Sequence, residues 1–259
     1  MKTVIKQLSA IAMFLMIAGT LHAAPKGDYY QLRVYTIENE AQEAAMDQYL
    51  QNAYIPALKR AGIEDVGVFK SIQGKNKGQN LIVVFIPFRS MKSIDKIQAK
   101  LEKDSEFESA AKDFREAPYD KPPYQRLETT LMKAFSSTPE YHRPELATPG
   151  SERVYELRSY QSATEELHRR KVKMFDEGES ELFIQLGFEP MFFAKVIAGA
   201  DMPNLVYMTC HENEEAQAAN WDSFRVHPAW QEMKVLDEYQ NTVSKSDKWM
   251  LYPTAYSDL

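Results

Sequence analysis

Apolar and polar side chains alternate along Tyr30-Gln31-Leu32-Arg33-Val34-Tyr35, the two-residue period of a strand with two unlike faces. The pattern returns 125 residues later as Tyr155-Glu156-Leu157-Arg158-Ser159-Tyr160. Further matches follow at offsets of 125 and then 124 residues. Ala61-Gly62-Ile63-Glu64 aligns with Leu186-Gly187-Phe188-Glu189, and Asn80-Leu81-Ile82-Val83-Val84 with Asn204-Leu205-Val206-Tyr207-Met208. The chain therefore reads as two homologous halves.

Both halves predict one order of elements. After the opening strand, residues 40–61 place Met46, Leu50, Ala53, Ala57 and Ala61 at helical spacing before Gly62. Residues 163–186 do the same with Leu167, Val172, Phe175, Leu182 and Leu186 before Gly187. Asn39 with Gln42, and Ser162 with Glu165, have the spacing of capping boxes, and Pro56 predicts a kink near the end of the first helix. Strand pairs follow at 66–72 with 81–88 and at 190–197 with 204–211. A second helical region comes in two pieces, at 91–102 plus 105–117 and at 214–225 plus 228–243, with Pro228 in a favoured first-turn position. Strands at 124–134 and 247–252 close the halves. The order β-α-β-β-α-β is that of a ferredoxin-like split unit, so the fold class is α+β. The repeats span 29–135 and 151–259, and residues 136–150, with Pro139, Pro144, Pro149 and Gly150, read as a linker.

A four-stranded sheet with both helices on one face leaves its other face to water, and an apolar sheet face left open is an association surface. Packing the two repeats sheet to sheet as an intramolecular α/β barrel covers both; two independent domains on a tether is the alternative. Homo-oligomer formation is compatible with either. If Tyr30, Leu32, Val34, Tyr155 and Leu157 face the helices, then Gln31, Arg33, Tyr35, Glu156, Arg158 and Tyr160 point between the sheets. Buried arginines need partners, and Glu156, Glu128 and tyrosine hydroxyls are candidates. These groups form either a closed polar network or the lining of a ligand cavity, and Arg33, Tyr35, Glu156, Arg158, Tyr160 and His211 are the candidate ligand-binding residues.

Residues 1–23 follow a different rule. Lys2 and Lys6 precede an apolar run from Leu8 to Ala18, and small residues follow up to Ala23 and Ala24. The run is too short to span about 30 Å of hydrocarbon, which predicts a signal peptide cleaved after Ala23 and leaves no transmembrane segment in the mature chain. Cleavage leaves 29 basic and 37 acidic side chains. That acidic balance, without a basic run, argues against nucleic acid as a partner. Cys210 is the single cysteine, so no intrachain disulfide can form, and the absence of an Asn-x-Ser/Thr acceptor points to export into a bacterial periplasm.

Val154-Tyr155-Glu156-Leu157-Arg158-Ser159-Tyr160 and the run Trp221-Asp222-Ser223-Phe224-Arg225-Val226-His227-Pro228-Ala229-Trp230 resemble the first-strand and second-helix signatures of the NIPSNAP domain, in the dimeric α/β barrel superfamily. In the first half, Ser105-Glu106-Phe107 stands where Pro228-Ala229-Trp230 does. The family usually carries an acidic residue where His227 stands. The resemblance covers residues 29–252 and implies the barrel fold. It supplies no catalytic residues to transfer, and related barrels include haem-degrading monooxygenases and small-molecule isomerases.

Chemistry-bearing residues are sparse. His142 and His168 read as solvated, in the linker and on a charged helix face. His211, Glu212 and His227 have the ligand chemistry of a metal site but no recognised spacing, and the reading favours helix capping or a surface role. Haem ligation by His211 or His227 is a second option, with Met191, Phe192, Phe193, Tyr207, Met208, Trp221 and Trp230 as a lining that core packing explains equally. No cofactor can be named. Cys210 reads as a small buried hydrophobe, and no Gly-x-Ser-x-Gly nucleophile elbow or phosphate loop is present. The expected function is binding of a small molecule or a partner through the barrel. Its alternatives are a cofactor-independent monooxygenase or isomerase, with Arg33, Arg158, Tyr160 and His211 near the site, and a purely structural interaction protein.

Overall fold

A computed structural model describes residues 27–259, and the signal peptide assigned to residues 1–23 lies outside them. The first repeat runs β1 (Tyr29–Ile37), α1 (Glu40–Tyr49), a π-helical turn (Leu50–Tyr54), α2 (Ile55–Ala61), β2 (Gly67–Ser71), β3 (Asn80–Phe88), α3 (Met91–Leu101), α4 (Ser105–Ala110), α5 (Lys112–Arg115) and β4 (Arg126–Ala134). The second runs β5 (Val154–Gln161), α6 (Glu165–Met174), a π-helical turn (Phe175–Glu179), α7 (Ser180–Gln185), β6 (Glu189–Ala198), β7 (Asn204–His211), α8 (Glu214–Val226), α9 (Pro228–Met233) and β8 (Lys245–Pro253). Gly62 and Gly187, at φ 106° and 79°, end the first helical stretch of each repeat in the left-handed region that a Cβ disfavours.

Three local expectations change. The second repeat's first helix is capped by Thr164, whose hydroxyl accepts from Leu167 N, and not by Ser162, whose hydroxyl donates to the Thr242 carbonyl. The break in the first helix lies at Leu50–Tyr54, upstream of Pro56, which begins the helical turn after it. The second repeat has its π turn at the equivalent place without a proline, so the widened turn belongs to the repeat and not to Pro56. The helical region after Pro228 ends at Met233 and continues only as a short 3-10 turn at Asp237–Tyr239, not as a helix to 243.

The eight strands close into an antiparallel barrel in the order β1-β3-β2-β8-β5-β7-β6-β4. Each repeat contributes four neighbouring strands. The seams join β2 to β8, with Phe69 opposite Pro253, and β4 to β6, with Met132 opposite Val196, so each repeat lends equivalent edges to the other. Among the described residues every strand has a neighbour on both sides over at least part of its length, which limits the aggregation hazard of an open sheet.

The interior between the sheets is apolar: Tyr30, Leu32, Phe69, Phe85, Tyr155, Leu157, Phe192, Met208 and Leu251 meet there. Two further cores lie outside the barrel, between each sheet and its own helices. Burial of each large side chain contributes about 1.5–3 kcal/mol, so the interface between sheets is a main source of stability. Cys210 lies fully buried in the barrel interior, and burial pushes its thiol up to about 12. The connection between repeats is packed down. Tyr141 lies edge-on to Phe85 and donates to Asp65, and His142 N donates to the Met191 carbonyl. Among the described residues, no helix is long and apolar enough to cross a membrane.

Candidate functional site

The face assignment of the opening strands is the reverse of the expectation. Tyr30, Leu32, Tyr155 and Leu157 belong to the barrel interior, with Val34 packed against it. Tyr35 and Tyr160 pack in the helix-side cores, and Arg33 and Arg158 share their face, opposite Val84 and Tyr207. The cause is what each layer can offer. The space between the two sheets is filled mainly by strand side chains, with few polar partners to offer, so it takes the apolar set, whereas helices can present hydrogen-bonding partners to the polar set. Glu128 plays no part: it is exposed, opposite Val34 at the barrel mouth.

Consequently the six candidate residues divide between two sites. Glu156, Arg158, Tyr160 and His211 gather beneath the helices of the second repeat; Arg33 and Tyr35 lie beneath those of the first.

The second-repeat site is closed. Glu156 is fully buried. Its Oε1 accepts from Arg158 Nε at 2.8 Å and lies 2.7 Å from Arg158 Nη2, while its Oε2 accepts from Trp221 Nε1 at 2.6 Å and Gln217 Nε2 at 2.8 Å. Arg158 Nη1 donates to the Tyr160 hydroxyl, which is 2.8 Å from that of Tyr207. The Trp221 ring covers the guanidinium at 3.9 Å, a cation–π contact. Nearby, Lys171 donates to Glu179 at 2.6 Å, and both are buried. Burial raises the Glu179 carboxyl above its ordinary range, against the pull of Lys171.

His211 has both ring nitrogens occupied, Nε2 by the Thr209 hydroxyl at 3.0 Å and Nδ1 by the Asn220 amide at 3.2 Å. Glu212 is exposed, and His227 caps α9 through Nδ1 on Ala229 N. His211, Glu212 and His227 do not converge, and among the described residues no group of three His, Cys, Asp or Glu could hold a metal ion. The lining considered for haem is divided by strand alternation: Met191, Phe192 and Met208 face the barrel interior, while Phe193, Tyr207 and Trp221 face the helices. They cannot wall one pocket. His168 is half-buried, not solvated, and burial lowers its pKa.

Burial lowers His211 to about 4, with a smaller push from Arg158 and an opposing pull from Glu156. The folded state therefore resists a proton that the unfolded chain accepts near 6.5, and stability falls as pH drops from about 6.5 to about 4. The loss specific to His211 is roughly 3 kcal/mol. Urea unfolding of wild type and His211→Gln across this range should show a difference that shrinks towards pH 4; a constant difference contradicts the assignment.

The first-repeat site is open. A cleft of about 680 Å³ lies over Arg33, walled by Tyr35, Tyr49, Tyr54, Phe107, Phe114 and Tyr124. A neighbouring hollow of about 530 Å³ shares Tyr49, Phe114, Pro122 and Pro123 with it. Tyr49 stacks on Phe114 at 3.8 Å with an interplanar angle of 5°, and Tyr54 continues the stack. The Arg33 Nε donates to the Tyr35 hydroxyl at 3.0 Å, and its guanidinium carbon lies 5.4 Å from the centre of the Tyr54 ring. Burial pushes the Tyr35 hydroxyl up to about 12, so it is neutral at physiological pH. Among the described residues no carboxylate pairs with Arg33, and residues 1–26 contain no Asp or Glu.

The reason one site is open and its counterpart closed lies in two substitutions. Gln31 stands where the second repeat has Glu156. Eight residues beyond the cap of α3 stands Gln98, where α8, counted from its cap Asn213, has Trp221. Gln98 lines the cleft and donates outward to Glu102. Tyr49, Tyr54, Phe114 and Gln98 were not among the sequence candidates; the visible signal was the mismatch of Gln31 with Glu156 inside an otherwise matched motif.

The sequence profile of the NIPSNAP family matches residues 30–119 and 155–258. No curated protein matches the chain. Among solved structures, a protein of Fusobacterium nucleatum described as a candidate monooxygenase superposes with a TM-score of 0.57 at 4% identity, covering 88% of this chain and 92% of its own. A candidate monooxygenase of Lactobacillus acidophilus gives 0.55 at 11% identity, covering 88% and 94%. An uncharacterised NIPSNAP-like domain protein of Burkholderia xenovorans gives 0.39 at 16% identity, covering 42% of this chain and 91% of its own. At these identities the two long superpositions establish a shared fold, the dimeric α/β barrel, here built within one polypeptide.

Proposed function

The chain belongs to the NIPSNAP family, and from that premise we propose that it is an exported protein that binds a small molecule in the cleft between the sheet and helices of its first repeat. One observation carries the reading: Arg33 is a half-buried cation without a carboxylate partner, at the floor of an aromatic cleft, while its duplicate Arg158 is fully engaged. Even a half-buried charge left without a counter-ion is less favourable than a paired one, and a fold that keeps one beside a cavity of ligand size has a use for it. The second repeat serves as scaffold.

The alternative is an enzyme, a cofactor-independent monooxygenase or isomerase, acting in the same cleft. The names borne by the two long structural neighbours favour it. In that case Tyr35, Tyr49 and Tyr54 are the groups that meet the substrate, and His211, buried on the other repeat, takes no part.

Native mass spectrometry of the protein purified from its own export compartment tests the proposal. One small molecule per chain is expected on the wild type. None is expected on Gln98→Trp, which copies Trp221 into the cleft. Undiminished ligand on a folded Gln98→Trp variant places the site elsewhere and overturns the reading.

A further inference from the structure

The duplicated chain holds two versions of one site, and the filled version indicates what the open one lacks. Resting on the cleft as ligand site, we infer that the ligand of the first repeat is an aromatic carboxylate, whose carboxylate takes at Arg33 the place that Glu156 occupies at Arg158.

Three observations converge. Gln31 and Glu156 occupy equivalent positions on the same strand face as their arginines, and Gln31 is opposite Ile86, which packs in the helix-side core. Gln31 cannot neutralise Arg33, so the counter-charge present in one repeat is missing from the other. A guanidinium presents a planar array of donors suited to a carboxylate; among the described residues Arg33 donates through Nε to the Tyr35 hydroxyl and interacts with the Tyr54 hydroxyl, both neutral groups that cannot balance its charge. The second observation concerns the ring. In the second repeat an indole lies on the guanidinium at 3.9 Å, whereas Gln98 at the equivalent position leaves that space to the cleft. A flat ring entering there meets the Arg33 plane on one side and the Tyr49, Tyr54 and Phe114 stack along the wall. The third is the charge of the rim. Its acids, Glu102 and Glu108, are exposed, and Glu108 is paired with Arg115, so the repulsion they exert on an anion at the floor is screened and small beside the attraction of the half-buried guanidinium. The ligand thus combines in one molecule what Glu156 and Trp221 supply from within the chain.

Isothermal titration of the full mature chain with 2-naphthoate and with 2-naphthamide separates this inference from the reading beneath it. The two share a ring and differ in charge. Naphthoate is expected to bind one per chain and at least tenfold more tightly than naphthamide. Arg33→Gln should erase that preference, leaving both equally weak, and Gln31→Glu, which supplies an internal carboxylate, should abolish naphthoate binding while the melting temperature stays level or rises. Equal binding of acid and amide, lost in Gln98→Trp, overturns the carboxylate inference and leaves the cleft standing. Binding of naphthoate that survives Gln98→Trp overturns both. No binding of naphthoate at millimolar concentration overturns the inference, and retained ligand in native mass spectra then still supports the cleft.

Discussion

Replacing Glu156 with leucine is expected to destabilise the protein by roughly 3–5 kcal/mol, because it removes the fully buried carboxylate that pairs with the largely covered Arg158 guanidinium and orphans two further donors. Arg158 loses its carboxylate, and Trp221 Nε1 and Gln217 Nε2 lose their acceptor. At the usual few degrees per kcal/mol for a chain of this size, the melting temperature should fall by roughly 6–20 °C. Gln31→Leu, the equivalent change in the first repeat, should stay within about 1 kcal/mol, since no charge there depends on Gln31. Chemical denaturation of the two variants side by side reads the contrast. Similar losses from both would mean that the repeats are equally closed, contrary to the geometry of Arg33 and Arg158.

The second large effect concerns Lys171 and Glu179. Removing one member of a buried pair leaves the other charge uncompensated, so Lys171→Met should cost roughly 3–5 kcal/mol, whereas Lys171→Met with Glu179→Leu should return to within about 2 kcal/mol of wild type. The first repeat supplies a natural precedent, since Met46 and Tyr54 occupy the equivalent positions and both are buried. The single variant should also be pH-dependent. Burial already raises the Glu179 carboxyl, and without Lys171 the folded state favours its protonated form more strongly. The defect of Lys171→Met is therefore smallest in acid and grows as pH rises through the raised carboxyl pKa. Unfolding of the single and double variants at two pH values decides the matter; a double variant as unstable as the single would show that packing at these sites, and not charge, dominates.

Most of the architecture was legible because the repeat doubled every signal. Tyr30 to Tyr35 against Tyr155 to Tyr160 fixed the register of the halves, Gly62 and Gly187 marked the helix ends, and the order of elements followed. The orientation of the opening strands was not legible. Both faces of each strand are covered, one by a sheet and one by helices, and a two-residue period separates the faces without saying which cover lies where. For Arg33 and Arg158 the deciding fact is tertiary: the partners of Arg158 come from α8, more than fifty residues away, and from its neighbours on β5. The six candidate residues thus fall in two places, Glu156, Arg158, Tyr160 and His211 beneath the helices of the second repeat and Arg33 and Tyr35 beneath those of the first. Gln98 and Trp221 could be compared only after the caps Ser90 and Asn213 set a common origin, and Tyr49, Tyr54 and Phe114 read as ordinary core from sequence.

Two arginines in duplicate positions have opposite states, Arg158 held from within the chain and Arg33 without a carboxylate partner. Side-chain nitrogen NMR of the ligand-free protein measures this directly, because a guanidinium fixed by a carboxylate rotates slowly about its Nε–Cζ bond. Arg158 should give separate, slowly exchanging terminal nitrogen signals and Arg33 a single averaged one, assigned with Arg33→Lys and Arg158→Lys variants. Arg33 and Arg158 signals equally restricted in the free protein would contradict the account.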